Sequence, residues 1–244
     1  MRKLTLFTFL SLPSFIFAAD LSFTGTARLL AGGEPLYQEL HEVSGTCTQG
    51  NFIPENQSVD YQREGSGTFA TKTMSYQHSV LRPSVMFTQP EFSEVIEIIN
   101  QNGETLRVIW QSPSGATEKS TLDITPSLVA DSGFDNLVRD NWEQLIRSGE
   151  SVKFNMVVPT RGDYYGFVLE PFSDNRIDAA HTLRIRPSST LLSWLVDPIL
   201  LGYSDQGYLT DYLGLTNIRK DEDNNYVAHI RYAIQTMPEC GLKR

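Results

Sequence analysis

Alternation of apolar and polar side chains is the feature that most constrains the fold of this chain. In the segment 152–158, apolar residues recur at every second position, as Val152, Phe154, Met156 and Val158. The segment 21–29 shows the same period. Because neighbouring side chains of a β-strand point to opposite faces, this period predicts strands that each bury one face.

Turn residues separate these segments and predict that consecutive strands form antiparallel hairpins. The clearest signal is Asn102-Gly103, which stands between two alternating segments and is typical of a two-residue hairpin turn. A loop is predicted from Gly45 to Asn56, with Pro54 inside it. The predicted strands cover 21–29, 36–43, 59–63, 68–76, 84–88, 94–99, 106–111, 118–124, 152–158, 164–169, 182–186, 199–203, 208–213 and 226–234.

One strong helix is predicted, from Phe134 to Arg147. Its apolar residues fall on one helical face, Ser132 can cap its start and Gly149 can end it. A second, short helix is predicted after Ser189. The expected fold is therefore mainly β, a large curved, mostly antiparallel sheet, half-barrel-like, covered by one principal amphipathic helix. A sheet wrapped partway around a helix leaves an apolar hollow beside it.

The first eighteen residues read as a cleavable export signal. Arg2 and Lys3 precede an apolar stretch that runs from Leu4 to Phe17 and ends in small residues before Asp20. This stretch is shorter than the roughly 20 residues of a membrane-spanning helix. The alternatives are an uncleaved anchor and a buried N-terminal helix. We expect residues 1–18 to be a signal peptide and 19–244 to be a single β-rich domain, exported and most simply periplasmic, with no later transmembrane span.

The net charge limits the class of binding partner, and the two cysteines bear on the compartment. The formal net charge is −9, and an acidic chain repels the phosphate backbone, so no nucleic acid partner is expected. Two cysteines, Cys47 and Cys240, remain after export. A disulfide between them suits an oxidising compartment; the alternative is two thiols too far apart to bond.

Sequence-local catalytic and metal motifs are not found. The four histidines show no metal-binding spacing, and the segment around Ser66 does not meet the spacing of a nucleophile elbow. We therefore predict no catalytic residues, no metal and no cofactor. An enzyme would instead require His181 or His229 to meet carboxylates in a cleft.

Aromatic residues supply the candidate ligand site. Trp142, Tyr164, Phe167 and Trp194 are candidates for the lining of the hollow, because aromatic side chains with polar tips often line such pockets. Arg161 is a candidate to meet an anionic head group at its mouth, together with Arg184 and Arg186. The alternatives are core packing for the aromatic residues, and solvated strand ends or partners of Asp163 and Glu170 for the arginines.

Four segments, 134–142, 154–164, 187–198 and 214–218, carry a resemblance. They resemble a family of uncharacterised exported proteins of Gram-negative bacteria, over most of the mature chain. The resemblance implies export to the periplasm and implies no activity and no site residues. In architecture alone, a curved antiparallel sheet covered by a helix is similar to periplasmic lipoprotein carriers, and fold does not fix function.

These observations lead to three hypotheses for function. The first is a periplasmic protein that binds or carries a lipid-like or amphipathic ligand. The second is a structural or assembly partner of a cell-envelope protein that pairs through exposed sheet edges. The third is a hydrolase without a recognisable motif. A binding protein requires an open apolar cavity, whereas an assembly protein requires a filled core and an exposed apolar patch.

Overall fold

The computed structural model describes residues 17–31, 33–189 and 197–244. The first eight strands are β1 (Phe17–Leu29), β2 (Pro35–Thr48), β3 (Asn51–Arg63), β4 (Gly67–Ser75), β5 (Ser84–Gln89), β6 (Glu94–Gln101), β7 (Thr105–Gln111) and β8 (Thr117–Asp123). The others are β9 (Leu128–Val129), β10 (Val152–Val158), β11 (Asp163–Pro171), β12 (His181–Pro187), β13 (Ile199–Tyr203), β14 (Leu209–Arg219) and β15 (Asn225–Thr236).

All of these strands belong to one sheet, as the alternation predicts. Its order is β8-β7-β6-β5-β4-β3-β2-β1-β15-β14-β13-β12-β11-β10-β9. Neighbours run antiparallel except β9 and β10, which are parallel. The central strand β1 pairs with β2 on one side and with β15 on the other. The expected large, mostly antiparallel sheet is confirmed.

The hairpin turns follow from residues that tolerate a positive φ. Asn102 and Gly103 have φ of 56° and 78° and join β6 to β7, as predicted. Gln49 and Gly50, with φ of 52° and 82°, make the same kind of turn between β2 and β3. The prediction of a loop from Gly45 to Asn56 is therefore wrong.

The predicted principal helix is present, but it is not one regular α-helix. It begins as α1 (Gly133–Asp140), is interrupted at Asn141 and continues as a π-helical turn, Glu143–Arg147. Ser132 precedes it but gives no side-chain cap; its hydroxyl bonds to Asp131 instead. The predicted helix after Ser189 lies outside the described residues, as does all but the end of the predicted signal segment. Within the described residues, no helix is long and apolar enough to cross a membrane.

The sheet rolls up so that β10 and β9, at one end of the strand order, are buried on both faces. Leu128 and Val129, adjacent on β9, are both fully buried, in two different apolar clusters. Leu128 and Val157 pack in the cluster of the early strands, whereas Val129 packs with α1 and β10–β13. The sheet is nevertheless not closed, because its edge strands β8 and β9 do not pair with each other.

A buried polar contact crosses the rolled sheet from β5 and β6 to β14. The Gln89 side chain accepts a hydrogen bond from the backbone N–H of Arg219 at 2.9 Å. The Arg219 guanidinium donates to Glu94 at 2.6 Å, and Trp110 donates to the same carboxylate at 2.9 Å. These bonds join the β5–β6 end of the sheet to β14.

A disulfide fixes the segment after β15 in place. The sulfur atoms of Cys47 and Cys240 are bonded, with their Cα atoms 5.9 Å apart, so the predicted pairing is confirmed. Leu242 follows and is buried against Leu21, Val43 and Phe52. The C-terminal segment thereby covers the apolar ends of β1–β3.

Candidate functional site

A cavity of about 750 Å³ lies inside the rolled sheet, between one half formed by β1–β6, the other half formed by β10–β15, and the helix α1. Alternate residues of β1–β6 form one wall, β10–β15 form the opposite wall, and α1 contributes Phe134 and Asn136. The cavity opens where Leu215, which lines it, is 52% exposed. Arg161 and Asp197 also line the cavity and are exposed, so they too lie at its rim.

Most of the lining is apolar or aromatic, because the inward positions of the alternating strands are apolar. Such a lining with a few fixed polar groups is typical of small-molecule sites. The apolar and aromatic lining residues include Leu21, Phe23, Val43, Phe52, Val59, Tyr61, Phe87, Ile96, Ile98, Met156, Phe167, Ile185, Ile199, Tyr212, Ile230, Tyr232 and Ile234.

One hydrogen-bonded chain of polar side chains crosses this apolar lining. Tyr232 and His41 both contact Oε2 of Glu39, at 3.1 and 3.0 Å. The other ring nitrogen of His41 lies 3.1 Å from the amide nitrogen of Gln57. Gln57 in turn accepts a bond from the Tyr76 hydroxyl at 2.7 Å. The chain therefore joins β15, β2, β3 and Tyr76, the residue that follows β4.

The bond directions in this chain correspond to one tautomer of His41, with the hydrogen on Nε2. Since Gln57 accepts from Tyr76 through its oxygen, its nitrogen donates to Nδ1 of His41. His41 then donates from Nε2 to Glu39. The ring also stacks on Phe23, with centroids 4.3 Å apart. With both nitrogens engaged, His41 orients the Glu39 carboxylate rather than offering a free nitrogen to a substrate or a metal.

Gly25 on β1 makes the contact between Tyr232 and Glu39 possible. In the sheet, Gly25 lies between the two, paired with Glu39 on β2 and with Tyr232 on β15. A Cβ atom at this position would lie 2.6 Å from the Tyr232 ring. Without a side chain at position 25, the tyrosine lies across β1 and reaches the carboxylate.

The remaining charges of the lining are largely compensated by ion pairs. Lys72 contacts Asp131 at 2.8 Å and Arg139 contacts Asp135 at 2.7 Å.

Burial raises the pKa of the Tyr232 phenol well above 10.0, and the nearby Glu39 charge raises it further. In the described part of the chain, no group of three His, Cys, Asp or Glu side chains is placed to hold a metal ion.

Comparison of the chain with protein-family models, curated proteins and solved structures gives no match.

The residues proposed from the sequence fall in different places. Phe167 and Arg161 line the cavity. Trp142 is 6% exposed and packs with α1 and β13, its ring 6.1 Å from that of Tyr203, so it belongs to the core beside the cavity. Tyr164 packs with the cluster of the early strands, on the other face of β11 from Phe167. Trp194 lies outside the described residues.

The other charged candidates pair with neighbours away from the cavity lining. Arg184 and Arg186 both bond to Glu170, which is the alternative that the sequence left open. His181 lies 2.9 Å from Asp205 and His229 lies 2.7 Å from Asp211. Neither histidine contributes to the lining.

Sequence reasoning missed Glu39, His41 and Tyr232. A signal for the first two exists on β2, where Tyr37, Glu39, His41 and Val43 share one face. Tyr37 and Val43 are buried, so the polar residues between them occupy positions where the alternation calls for apolar side chains. Polar side chains on the buried face of a strand need hydrogen-bond partners within the protein, so their presence there indicates a buried polar site.

Proposed function

We propose that this chain is an exported, periplasmic protein that binds or carries an amphipathic, lipid-like ligand in the cavity of the rolled sheet. The observation that carries the proposal is the cavity itself. Its volume of about 750 Å³ falls in the range of small-molecule sites, roughly 300–1,000 Å³. Its lining combines an apolar majority with a short polar chain at fixed positions, which suits a ligand with an apolar body and a polar end.

Binding without chemical conversion is the activity that this arrangement favours. The titratable side chains of the interior are bonded to one another, as in Lys72–Asp131 and in the chain through Glu39 and His41. The Cys47–Cys240 disulfide supports an oxidising compartment and hence the exported location.

The direct test is native mass spectrometry of the protein purified without detergent from the cells that produce it, followed by lipid extraction. A stoichiometric amphiphile is the expected result and would identify the ligand class. A bare mass, together with no uptake of added long-chain amphiphiles, would contradict the proposal and favour the assembly partner of the envelope.

A matched pair of variants locates the ligand. Ile96 lines the cavity, and Ile99 faces the opposite side of β6. Ile96→Trp should fill part of the cavity and lower occupancy, whereas Ile99→Trp should leave it unchanged. Equal occupancy in both folded variants would show that the amphiphile binds elsewhere.

A further inference from the structure

We propose that Glu39, together with Tyr61, Tyr212 and Tyr232, forms a subsite for a cationic head group, so that the ligand is a long-chain amine or quaternary ammonium compound. This inference rests on the proposed function and adds the chemistry of the polar end. All four side chains line the cavity.

The first observation is a buried carboxylate oxygen without a partner. Glu39 is 6% exposed, and both of its side-chain contacts, from Tyr232 and His41, go to Oε2. Among the described residues, Oε1 receives no hydrogen bond, and it is not one of the fully enclosed unpartnered atoms. Oε1 is therefore reached from the cavity, where a buried acceptor without a donor is costly.

The second observation is the charge balance of the lining. Asp131, Asp135 and Glu94 each contact a lysine or arginine within the described chain. Glu39 contacts neither, and its basic neighbour is the His41 ring at 3.0 Å. Glu39 is therefore a carboxylate of the lining without a lysine or arginine partner, and a positively charged ligand would supply one.

The third observation is the aromatic surroundings. The Tyr232 hydroxyl contacts Glu39 directly at 3.1 Å. Tyr61 and Tyr212 line the same cavity as Glu39, and burial first and the Glu39 charge second raise the pKa of both phenols above 10.0. Aromatic rings attract ammonium groups, including quaternary ones that cannot donate hydrogen bonds.

Arg161 at the rim opposes this preference only weakly. It is exposed, and solvent and salt screen exposed charges. Glu39 acts in the enclosed interior, where the same charge interacts more strongly. The buried group therefore decides which head group enters.

The test compares three probes with the same tail and different heads: dodecylammonium, whose N–H groups can donate to Oε1, dodecyl sulfate and 1-dodecanol, titrated calorimetrically below their aggregation concentrations. The wild-type protein should bind the ammonium probe about tenfold more tightly than dodecanol and should bind the sulfate least. Glu39→Gln should remove the ammonium preference, so that the ratio of the ammonium affinity to the dodecanol affinity falls close to one. Glu42→Gln, the same charge change on the outer face of β2, should behave as wild type.

The outcomes separate the two proposals. If the wild-type protein binds the three probes equally, or prefers the sulfate in a way that Arg161→Gln abolishes, the cationic subsite is wrong and the carrier function stands. If none of the probes binds, the carrier function fails and the subsite fails with it. The wild-type ranking alone decides the matter even if Glu39→Gln does not fold.

Discussion

The side chains of Lys72 and Asp131 meet inside the protein, with Nζ of Lys72 2.8 Å from Oδ1 of Asp131. Lys72 lies on β4, and Asp131 stands between β9 and α1 with a positive φ of 45°. The Lys72 side chain is 5% exposed. The ion pair therefore joins an early strand to the start of the covering helix across the edge of the cavity.

Lys72→Met should destabilise the protein by about 3–5 kcal/mol, because it leaves the Asp131 carboxylate buried without its partner. The measurement is the free energy of unfolding in guanidinium chloride. The double variant Lys72→Met/Asp131→Asn should recover part of the loss, since it removes both charges together. Strictly additive losses in the two single variants and the double variant would show that the two side chains do not interact.

The same pair predicts a dependence of stability on pH. Burial alone would raise the pKa of Asp131, but the charge and hydrogen bonds of Lys72 and Ser132 lower it below 3.8. A carboxyl with a lowered folded pKa stabilises the protein above its unfolded pKa, and this stabilisation is lost as the pH falls through the folded pKa.

The wild-type protein should therefore exceed Asp131→Asn in stability by a constant amount from about pH 7 to pH 5, and by less below about pH 4. Denaturant unfolding of the two proteins at several pH values measures this difference. The other carboxyl groups titrate in both proteins and cancel in the comparison. A difference that stays the same down to pH 3 would contradict the assigned ion pair.

The alternating pattern predicted most of the sheet, and the errors have local physical causes. Gly45 and Pro54 are usual strand breakers, yet here they pair with each other at a shift in register between β2 and β3. A Cβ atom on Gly45 would collide with the carbonyl oxygen of Ile53. Glycine is therefore needed inside this strand pair because two backbones approach closely.

The features that define the site depend on contacts far apart in sequence. β9 consists of two residues paired in parallel with β10. A strand this short has no alternating pattern from which it could be predicted. The rolling of the sheet depends on pairs such as Gln89 and Arg219, 130 positions apart. Sequence alternation identified which faces are apolar, but only the rolled sheet decides which of them border empty space.

Reduction of the Cys47–Cys240 disulfide should destabilise the protein by up to roughly 5 kcal/mol in the chain-entropy model, since the two cysteines are 193 positions apart. The segment with Leu242 would also lose its anchor. Guanidinium unfolding with and without a phosphine reductant measures the effect. The Cys47→Ser/Cys240→Ser variant should show the lower stability and no response to reductant. An unchanged midpoint on full reduction would exclude the stabilising role.

The placement of Trp142 and Phe167 predicts a separation between stability and binding. Trp142 is buried in the core with Tyr203, whereas Phe167 lines the cavity. Trp142→Ala should cost about 3–5 kcal/mol in unfolding free energy and leave the affinity of the folded protein for dodecanol nearly unchanged. Phe167→Ala should weaken dodecanol binding because it removes apolar contact with the ligand.

Calorimetric titration under conditions where both variants are folded makes the comparison. The reverse result, with binding lost in Trp142→Ala alone, would place the ligand among α1, β12 and β13 instead of between the halves of the sheet.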